Sequence, residues 1–160
     1  MTPKQQNILS GFEQFASRAA TRRSLMEHVA ERLHAEMAYY NWVGFYLVDP
    51  ADRNFLIVGP FVGSFTPNVR IPLSKGLCGA AAVGGETVVV NDVSKDSRYL
   101  SGSSIVKSEI VVPLFQKKTL IGELDVESYF ADTFTAKERE FVEACAAIVE
   151  GHRDKQISPG

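Results

Sequence analysis

Residues 41–48 of this 160-residue chain read Asn-Trp-Val-Gly-Phe-Tyr-Leu-Val, and here the hydrophobic period changes from helical to extended. Side chains in a β-strand alternate between the two faces of a sheet, so every second residue shares a face. One face would carry Trp42, Gly44 and Tyr46, and the other would carry Val43, Phe45 and Leu47. The alternation predicts a β-strand, and a turn at 49–54 followed by the apolar run 55–58 predicts a hairpin.

The segments before this strand have the 3.6-residue period of amphipathic helices. One apolar face is formed by Ile8, Phe12, Phe15 and Ala19, and a second helix repeats the pattern with Leu25, Val29 and Leu33. Near the C-terminus, a capping box at 135–138 precedes a third such face, formed by Phe141, Cys145, Ile148 and His152. Helices are therefore predicted at both ends of the chain.

Between these helices the chain alternates short apolar runs with turns. Further strands are predicted at 69–72, 87–90, 109–115 and 120–126, with a short helix of small residues over 74–82 and a loop over 94–108. This order is α+β, and the short connections favour a mainly antiparallel sheet with helices packed over it. We expect one domain over residues 1–160, with a core at about 10–151 and a flexible tail at 152–160.

Composition and charge exclude several classes of function. The chain weighs 17.6 kDa, and its 45% hydrophobic and 22% charged residues are typical of a folded globular protein. Seventeen basic and 19 acidic residues leave a formal charge of −2, so nucleic acid is not expected as a partner. No apolar run approaches the roughly 20 residues of a membrane span, and the polar N-terminus lacks a signal peptide. We expect a cytoplasmic protein without membrane contact.

Motifs for cofactors and metals are not found in the sequence. The glycine-rich patterns of nucleotide-hydrolysing and dinucleotide-binding proteins are absent. His28, His34 and His152 lack the spacing of metal ligands, and two cysteines, Cys78 and Cys145, cannot form a thiolate zinc site by themselves. We therefore expect no cofactor and no metal site.

Polar side chains in the predicted strands form a candidate ligand pocket. Asp125 and Glu127 lie two residues apart and share a face of their strand, and Glu109 begins the neighbouring strand. Trp42 and Tyr46 also share a face and could form an aromatic wall over an apolar group. On the residues alone, the favoured interpretation is simpler: the carboxylates face solvent and Trp42 belongs to the core.

Blocks spread along most of the chain resemble a known family. They are Asn-Trp-Val-Gly-Phe-Tyr-Leu at 41–47, Gly-Pro-Phe at 59–61, Val-Arg-Ile-Pro at 69–72, Gly-Leu-Cys-Gly at 76–79, Asp-Val at 92–93, Ser-Glu-Ile-Val-Val-Pro-Leu at 108–114 and Gly-Glu-Leu-Asp-Val-Glu-Ser at 122–128. Together they resemble a GAF domain of the free methionine-(R)-sulfoxide reductase family. The resemblance implies a GAF (profilin-like) fold, with a six-stranded, mainly antiparallel sheet between helical layers.

The resemblance also implies an activity and a site. The family's enzymes reduce free methionine-R-sulfoxide in the cytoplasm, use thioredoxin as electron donor and commonly form dimers. In the family, carboxylates matching Glu109, Asp125 and Glu127 hold the amino group and the sulfoxide oxygen of the substrate. Trp42 and Tyr46 would complete the ligand-binding residues, and Glu127 is one methylene longer than the aspartate usual at its position.

The cysteines depart from the family's pattern. Reduction needs a thiolate that attacks the sulfoxide sulfur and a second thiol that resolves the resulting sulfenic acid. The family's attacking cysteine corresponds to Gly102 here and another corresponds to Asn68, which leaves Cys78, whose counterpart has a resolving role. Cys145 is expected in the core. Cys78 either gains thiolate character at a helix N-terminus or packs inertly on the sheet, and inert packing is favoured.

Three functional hypotheses follow. The first is a stand-alone GAF domain that binds a small amine-bearing metabolite, such as methionine or its sulfoxide, without redox turnover. The second is an active free methionine-(R)-sulfoxide reductase that uses Cys78, alone or with an external thiol such as thioredoxin. The third is a regulatory or interaction module that forms a homodimer through its terminal helices. The first is favoured, because one usable thiol remains for chemistry that takes two.

Overall fold

The computed structural model describes residues 1–64, 68–99 and 105–155. Within them the strands are β1 (Trp42–Val48), β2 (Phe55–Gly63), β3 (Arg70–Pro72), β4 (Val88–Val90), β5 (Ser108–Gln116) and β6 (Thr119–Ser128). The helices are α1 (Pro3–Arg18), α2 (Arg22–Glu36), α3 (Gly76–Gly84) and α4 (Ala136–Gly151), with a 3-10 turn at Val93–Lys95. The strands form one antiparallel sheet in the order β3-β2-β1-β6-β5-β4, which confirms the predicted α+β class and the six-stranded sheet. None of these helices has the length and apolar character needed to cross a membrane.

The first face of the sheet is covered by α1, α2 and α4. Val43 and Phe45 of β1 join the apolar faces of these helices in one buried cluster. Ile8 and Phe12 of α1 are fully buried there, as is Cys145 of α4. Each large apolar side chain removed from water contributes about 1.5–3 kcal/mol, so this layer is a major source of the stability of the fold.

The second face is covered by α3, which is built from small residues as predicted. Gly79 lies so close to the preceding loop that a Cβ there would be 2.6 Å from the carbonyl oxygen of Leu73. Leu77 and Cys78 point into a second buried cluster, which contains Trp42 and Tyr46 of β1. The sheet therefore separates two cores, and each contains one of the two cysteines.

The structure corrects the predicted end of the second strand. The apolar run 55–58 predicts a strand that ends at Val58, but β2 continues through Gly59 and Pro60 to Gly63. The pairing with β1 shifts register at this point, so Phe45 lies opposite both Gly59 and Pro60. Because such a bulge leaves one residue out of the hydrogen-bond ladder, a proline without an N–H can be accommodated inside the strand.

The predicted capping box of α4 is only half formed. Thr135 caps the helix, since its hydroxyl accepts a hydrogen bond from the backbone N–H of Glu138 at 3.3 Å. The Glu138 carboxylate, however, accepts hydrogen bonds from Gln5 Nε2 at 3.0 Å and from the Tyr40 hydroxyl. Glu138 therefore links α4 to α1 and to the start of β1.

Residues 152–155, the first part of the expected flexible tail, make several hydrogen bonds with the rest of the chain. His152 Nε2 lies 2.9 Å from the carbonyl oxygen of Ala19, and Arg22 donates from its guanidinium to the carbonyl oxygen of His152 at 2.7 Å. The carboxylate of Asp154 accepts from the backbone N–H of Arg22 at 2.8 Å. These polar contacts hold the segment against the α1–α2 connection, and residues 156–160 lie outside the described part of the chain.

The β5–β6 hairpin closes through a two-residue turn with positive φ at both central positions. Gln116 pairs with Thr119, and Lys117 and Lys118 have φ of 49° and 68°. This is the pattern of a type I′ turn, which matches the twist of the strands but favours Asn-Gly. A left-handed conformation costs a lysine about 1–2 kcal/mol, because its Cβ crowds the following carbonyl oxygen.

Replacing Lys118 with glycine is expected to raise the free energy of unfolding by about 1 kcal/mol, because glycine adopts positive φ without that crowding. Urea denaturation followed by circular dichroism would show a higher midpoint with an unchanged slope. Glu140→Gly on the exposed side of α4 is the matched control and should lower the midpoint. A Lys118→Gly midpoint at or below that of the wild type would contradict the prediction.

Candidate functional site

Strands β1, β6 and β5 are neighbours in the sheet, and residues that lie opposite one another on them form rows across the sheet. On the second face these rows contain polar and aromatic side chains. β6 contributes Glu123, Asp125 and Glu127 at alternate positions, and Asp125 contacts Cys78 of α3, so this face of β6 lies beneath α3. The paired rows are Trp42–Glu127–Glu109, Gly44–Asp125–Val111 and Tyr46–Glu123. Residues predicted from separate strands are thus direct neighbours across the sheet.

Two glycines allow the Trp42 ring to lie flat against the sheet. A Cβ at Gly44 would be 2.4 Å from the Trp42 ring, and one at Gly63 would be 2.3 Å from it. The ring stacks on Phe61 with 5.5 Å between centroids and on Tyr46 with 6.2 Å. Trp42 is fully buried, so it is both a core residue and a neighbour of the carboxylate rows.

Four carboxylates are buried together beneath α3. Their exposed fractions are 5% for Glu109, 0% for Glu123, 3% for Asp125 and 6% for Glu127, so the interpretation in which they face solvent is wrong. Desolvation raises the pKa of all four, and repulsion from Asp125 raises the pKa of the other three further. The pKa of Asp125 itself rises to about 6, because burial outweighs the hydrogen bonds from Glu109 and from the Cys78 thiol.

Cys78 lies in the first turn of α3, directly over the carboxylates. Its thiol donates a hydrogen bond to Asp125 Oδ2, with 3.7 Å between sulfur and oxygen. Burial, and then the negative charges of Asp125 and Glu123, raise the pKa of the thiol well above its ordinary value. Burial and the nearby carboxylates therefore oppose the thiolate character that a position near a helix N-terminus would favour.

Cys145 cannot reach Cys78. It lies fully buried in the core on the opposite side of the sheet, as the sequence predicted. A disulfide needs Cα atoms within about 4.4–6.8 Å of each other, and the sheet stands between the two residues. Any second thiol in a redox cycle would have to come from another molecule.

The positions that correspond to the family's other cysteines are only partly described. Asn68 is half-buried, and its carbonyl oxygen accepts a hydrogen bond from the Tyr46 hydroxyl at 3.2 Å. Gly102 lies outside the described residues. His28 stacks on Phe15 with 4.0 Å between ring centroids, and this contact places it in the helical layer rather than in the carboxylate cluster.

Glu123 is a residue that the sequence reasoning missed. It has no exposed surface, and neither of its carboxylate oxygens has a hydrogen-bond partner at normal geometry. The alternation that paired Asp125 with Glu127 extends two residues back to Glu123, so the signal was present in the sequence. With Glu123 included, the cluster is suited to hold a positively charged group or to donate protons from neutral carboxyls.

Comparisons with known proteins identify relatives of the chain. The family model for the GAF domain matches residues 18–152. The free methionine-R-sulfoxide reductase of Saccharomyces cerevisiae is 36% identical over 128 residues, which cover 79% of this chain and 68% of that protein. The enzyme of the same name from Escherichia coli is 32% identical over 118 residues, or 74% of this chain and 69% of the relative. The X-ray structure of the Neisseria meningitidis free methionine-R-sulfoxide reductase with its substrate superposes with a TM-score of 0.86 at 33% identity, covering 94% of this chain and 90% of that one.

Glu123→Gln is expected to stabilise the protein above neutral pH. A free glutamate titrates near pH 4.3, whereas burial raises the pKa of Glu123 in the folded state. The stability that this group contributes is therefore complete below about pH 4 and is lost as pH rises through the folded pKa. An amide has no charge to bury, so at about pH 8 the variant should unfold with a free energy higher by about 1 kcal/mol or more.

Urea denaturation at about pH 5 and about pH 8 measures this difference. Wild-type protein should lose stability between the two pH values, and the variant should lose less. Glu140→Gln on the exposed side of α4 is the control and should behave as the wild type. A Glu123→Gln protein that is less stable than the wild type at the higher pH would show that this carboxylate is ionised and paired.

Proposed function

Because this chain belongs to the GAF-domain family and its relatives include free methionine-R-sulfoxide reductases, we propose that it binds free methionine R-sulfoxide and reduces it with Cys78. The observation that carries the proposal is the 3.7 Å contact between Cys78 Sγ and Asp125 Oδ2, which puts a thiol against carboxylates suited to an amino acid's ammonium group. The named reductases among the relatives favour this alternative over the non-redox binding that the sequence alone favoured.

The carboxylate rows supply the charge that the substrate's ammonium group requires. Glu109 and Glu127 are paired directly across β5 and β6, and Asp125 lies one row away. Like charges so placed repel one another, and a bound ammonium group would relieve that repulsion with charge-assisted hydrogen bonds. Trp42 and Tyr46 flank the rows, and their ring faces suit the methyl and sulfur end of the ligand.

In the proposed reaction the Cys78 sulfur attacks the sulfoxide sulfur. The sulfoxide oxygen is transferred to Cys78, methionine is released, and the thiol's proton, held by a neighbouring carboxylate during the attack, returns to give the neutral sulfenic acid. An external dithiol of the thioredoxin class then attacks the sulfenic sulfur and expels water. Its second thiol opens the mixed disulfide, restores the Cys78 thiol and leaves the external dithiol oxidised. The external donor is needed because Cys145 lies across the sheet.

Neighbouring carboxyls fit the acid and base roles of the first step. Asp125 already accepts the hydrogen bond of the Cys78 thiol and can take its proton as sulfur attacks. Burial raises the pKa of Glu109, so its neutral carboxyl can donate a hydrogen bond to the sulfoxide oxygen as negative charge develops there.

A second candidate function is binding without turnover. The observation that favours it is the burial of the Cys78 thiol against the carboxylates. This environment raises the pKa of the thiol, whereas attack on a sulfoxide needs thiolate character. In this case the same face would hold methionine, its sulfoxide or another amine-bearing metabolite, and Cys78 would serve only as a hydrogen-bond donor.

Assembly into a homodimer remains a proposal. The terminal helices were suggested as its interface, but the inner face of α1 packs on α2 and α4, with Ile8 and Phe12 buried. Only the outer side of α1 is left for a partner.

Wild-type protein is expected to consume NADPH in an assay with thioredoxin, thioredoxin reductase and free L-methionine R-sulfoxide. Cys78→Ser should fall to the rate without the protein, because a hydroxyl cannot form a sulfenic acid or a disulfide. Cys145→Ala is the matched control and should keep the wild-type rate, since this thiol lies in the other core. An inactive wild-type protein would contradict the reductase, and an active Cys78→Ser protein would contradict the role of this thiol.

Binding can be tested separately by calorimetry with the Cys78→Ser protein and methionine R-sulfoxide. Asp125→Asn in the same background should bind about 10- to 100-fold more weakly, because a hydrogen bond to a charged group contributes about 1.5–3 kcal/mol. Glu140→Gln should bind as the parent does. Heat from the parent together with an inactive wild type would support the second candidate. No heat with methionine, its sulfoxides or other amino acids would contradict both.

A further inference from the structure

Three ligand-type atoms converge at the centre of the carboxylate cluster. Cys78 Sγ, one carboxylate oxygen of Glu109 and one of Asp125 all lie within 4.8 Å of one another, and all three residues are buried. They come from three different elements, α3, β5 and β6, so their separation is set by the packing of the helix on the sheet.

The separation of Cys78 and Asp125 matches one edge of a tetrahedral metal site. With Zn–S near 2.3 Å and Zn–O near 2.0–2.2 Å, a sulfur and an oxygen bound to one zinc ion lie about 3.6 Å apart. Cys78 Sγ and Asp125 Oδ2 are 3.7 Å apart. A cation between them would therefore meet both ligands with little movement of the main chain.

Glu123 is an independent indication that this cluster lacks a positive partner. It is fully buried two residues before Asp125 on the same face of β6, and neither carboxylate oxygen has a hydrogen-bond partner at normal geometry. The side chain of Glu123 also interacts with the Cys78 thiol, whose sulfur is one of the three converging atoms. Glu123 contributes none of the three atoms that lie within 4.8 Å of one another. Buried polar groups in folded proteins are normally satisfied, and a rotation of the Glu123 side chain toward the three atoms would satisfy it as a fourth ligand.

We propose that Cys78, Glu109, Asp125 and Glu123 form a binding site for a divalent cation of the zinc class. A thiolate ligand selects zinc over magnesium or calcium, and three carboxylates supply the oxygen ligands and the negative charge. On binding, the cation replaces the thiol proton, so Cys–SH and M²⁺ give Cys–S–M⁺ and H⁺. The sequence predicted no metal site, because neither a histidine nor a second cysteine is involved.

Occupation by a metal and attack on a sulfoxide would exclude each other, since both use the Cys78 sulfur. The cation would therefore hold the proposed reductase inactive until it is released or chelated. The metal site itself does not depend on the proposed reaction, because its ligands and charge are properties of the free protein.

The test is a titration of the full-length, reduced and chelator-treated protein with Co²⁺, followed by Zn²⁺. One equivalent of Co²⁺ should produce a sulfur-to-cobalt charge-transfer absorption, and Zn²⁺ should abolish it by displacing the weaker-binding ion. Cys78→Ser should show no such absorption, and Cys145→Ala should show the full signal. Glu109→Gln and Glu123→Gln retain the thiol and should weaken Zn²⁺ binding at least about tenfold, measured by calorimetry.

The titration contains no sulfoxide and no electron donor, so its result is separate from that of the reductase assay. Absence of both the absorption and a heat of Zn²⁺ binding would overturn the metal site, even if the protein reduces sulfoxide. An absorption that persists in Cys78→Ser, or Zn²⁺ binding unchanged in both glutamine variants, would also overturn it.

Discussion

The burial of acidic side chains on one face of β6 limits which charges the second side of the sheet can hold. Glu123, Asp125 and Glu127 all point beneath α3, and β5 places Glu109 directly opposite Glu127. Carboxylates removed from water and set against one another cannot all stay ionised without a cation. The folded protein therefore either holds protons in this cluster or binds a positively charged group there. Ligand binding, sulfoxide reduction and metal binding would each depend on which of these two states is present.

The two sides of the sheet have different roles: the first contains the main apolar core, and the second contains the buried carboxylates. On the first side, the apolar faces of α1, α2 and α4 close over Val43 and Phe45 and bury only small and apolar side chains of the sheet. That core offsets the cost of the carboxylate cluster on the other side. On the second side, the largest fully buried side chain of the apolar cluster is that of Trp42, whose ring can lie flat because Gly44 has no side chain. The same glycine leaves Asp125, its partner across the ladder, facing the Cys78 thiol.

Local patterns predicted more of the strands than of the site. Alternation placed Trp42 with Tyr46 and Asp125 with Glu127 because a period of two is a property of each strand alone. Those carboxylates are buried because α3 packs over them, and α3 is distant from them in the sequence. The pattern of the strand residues alone therefore favoured solvent exposure. Glu123 was missed for a related reason: a glutamate near a hairpin end is ordinarily exposed, and here β1 and β5 flank it while α3 covers this face of β6. The continuation of β2 beyond Val58 could not be predicted, because the bulge opposite Phe45 is a property of the paired strands and not of β2 alone.

The sequence by itself determined the order of helices and strands, the two faces of β1 and β6, the family to which the blocks point, and the small number of thiols. These features depend only on which residues are present and on their spacing within single helices and strands. The tertiary structure decided that Cys78 meets Asp125, that Cys145 lies beyond the sheet, and that four carboxylates share one buried space. Those outcomes depend on strand register and on the docking of α3, and the energy of burying a charge is set by the groups that surround it in space.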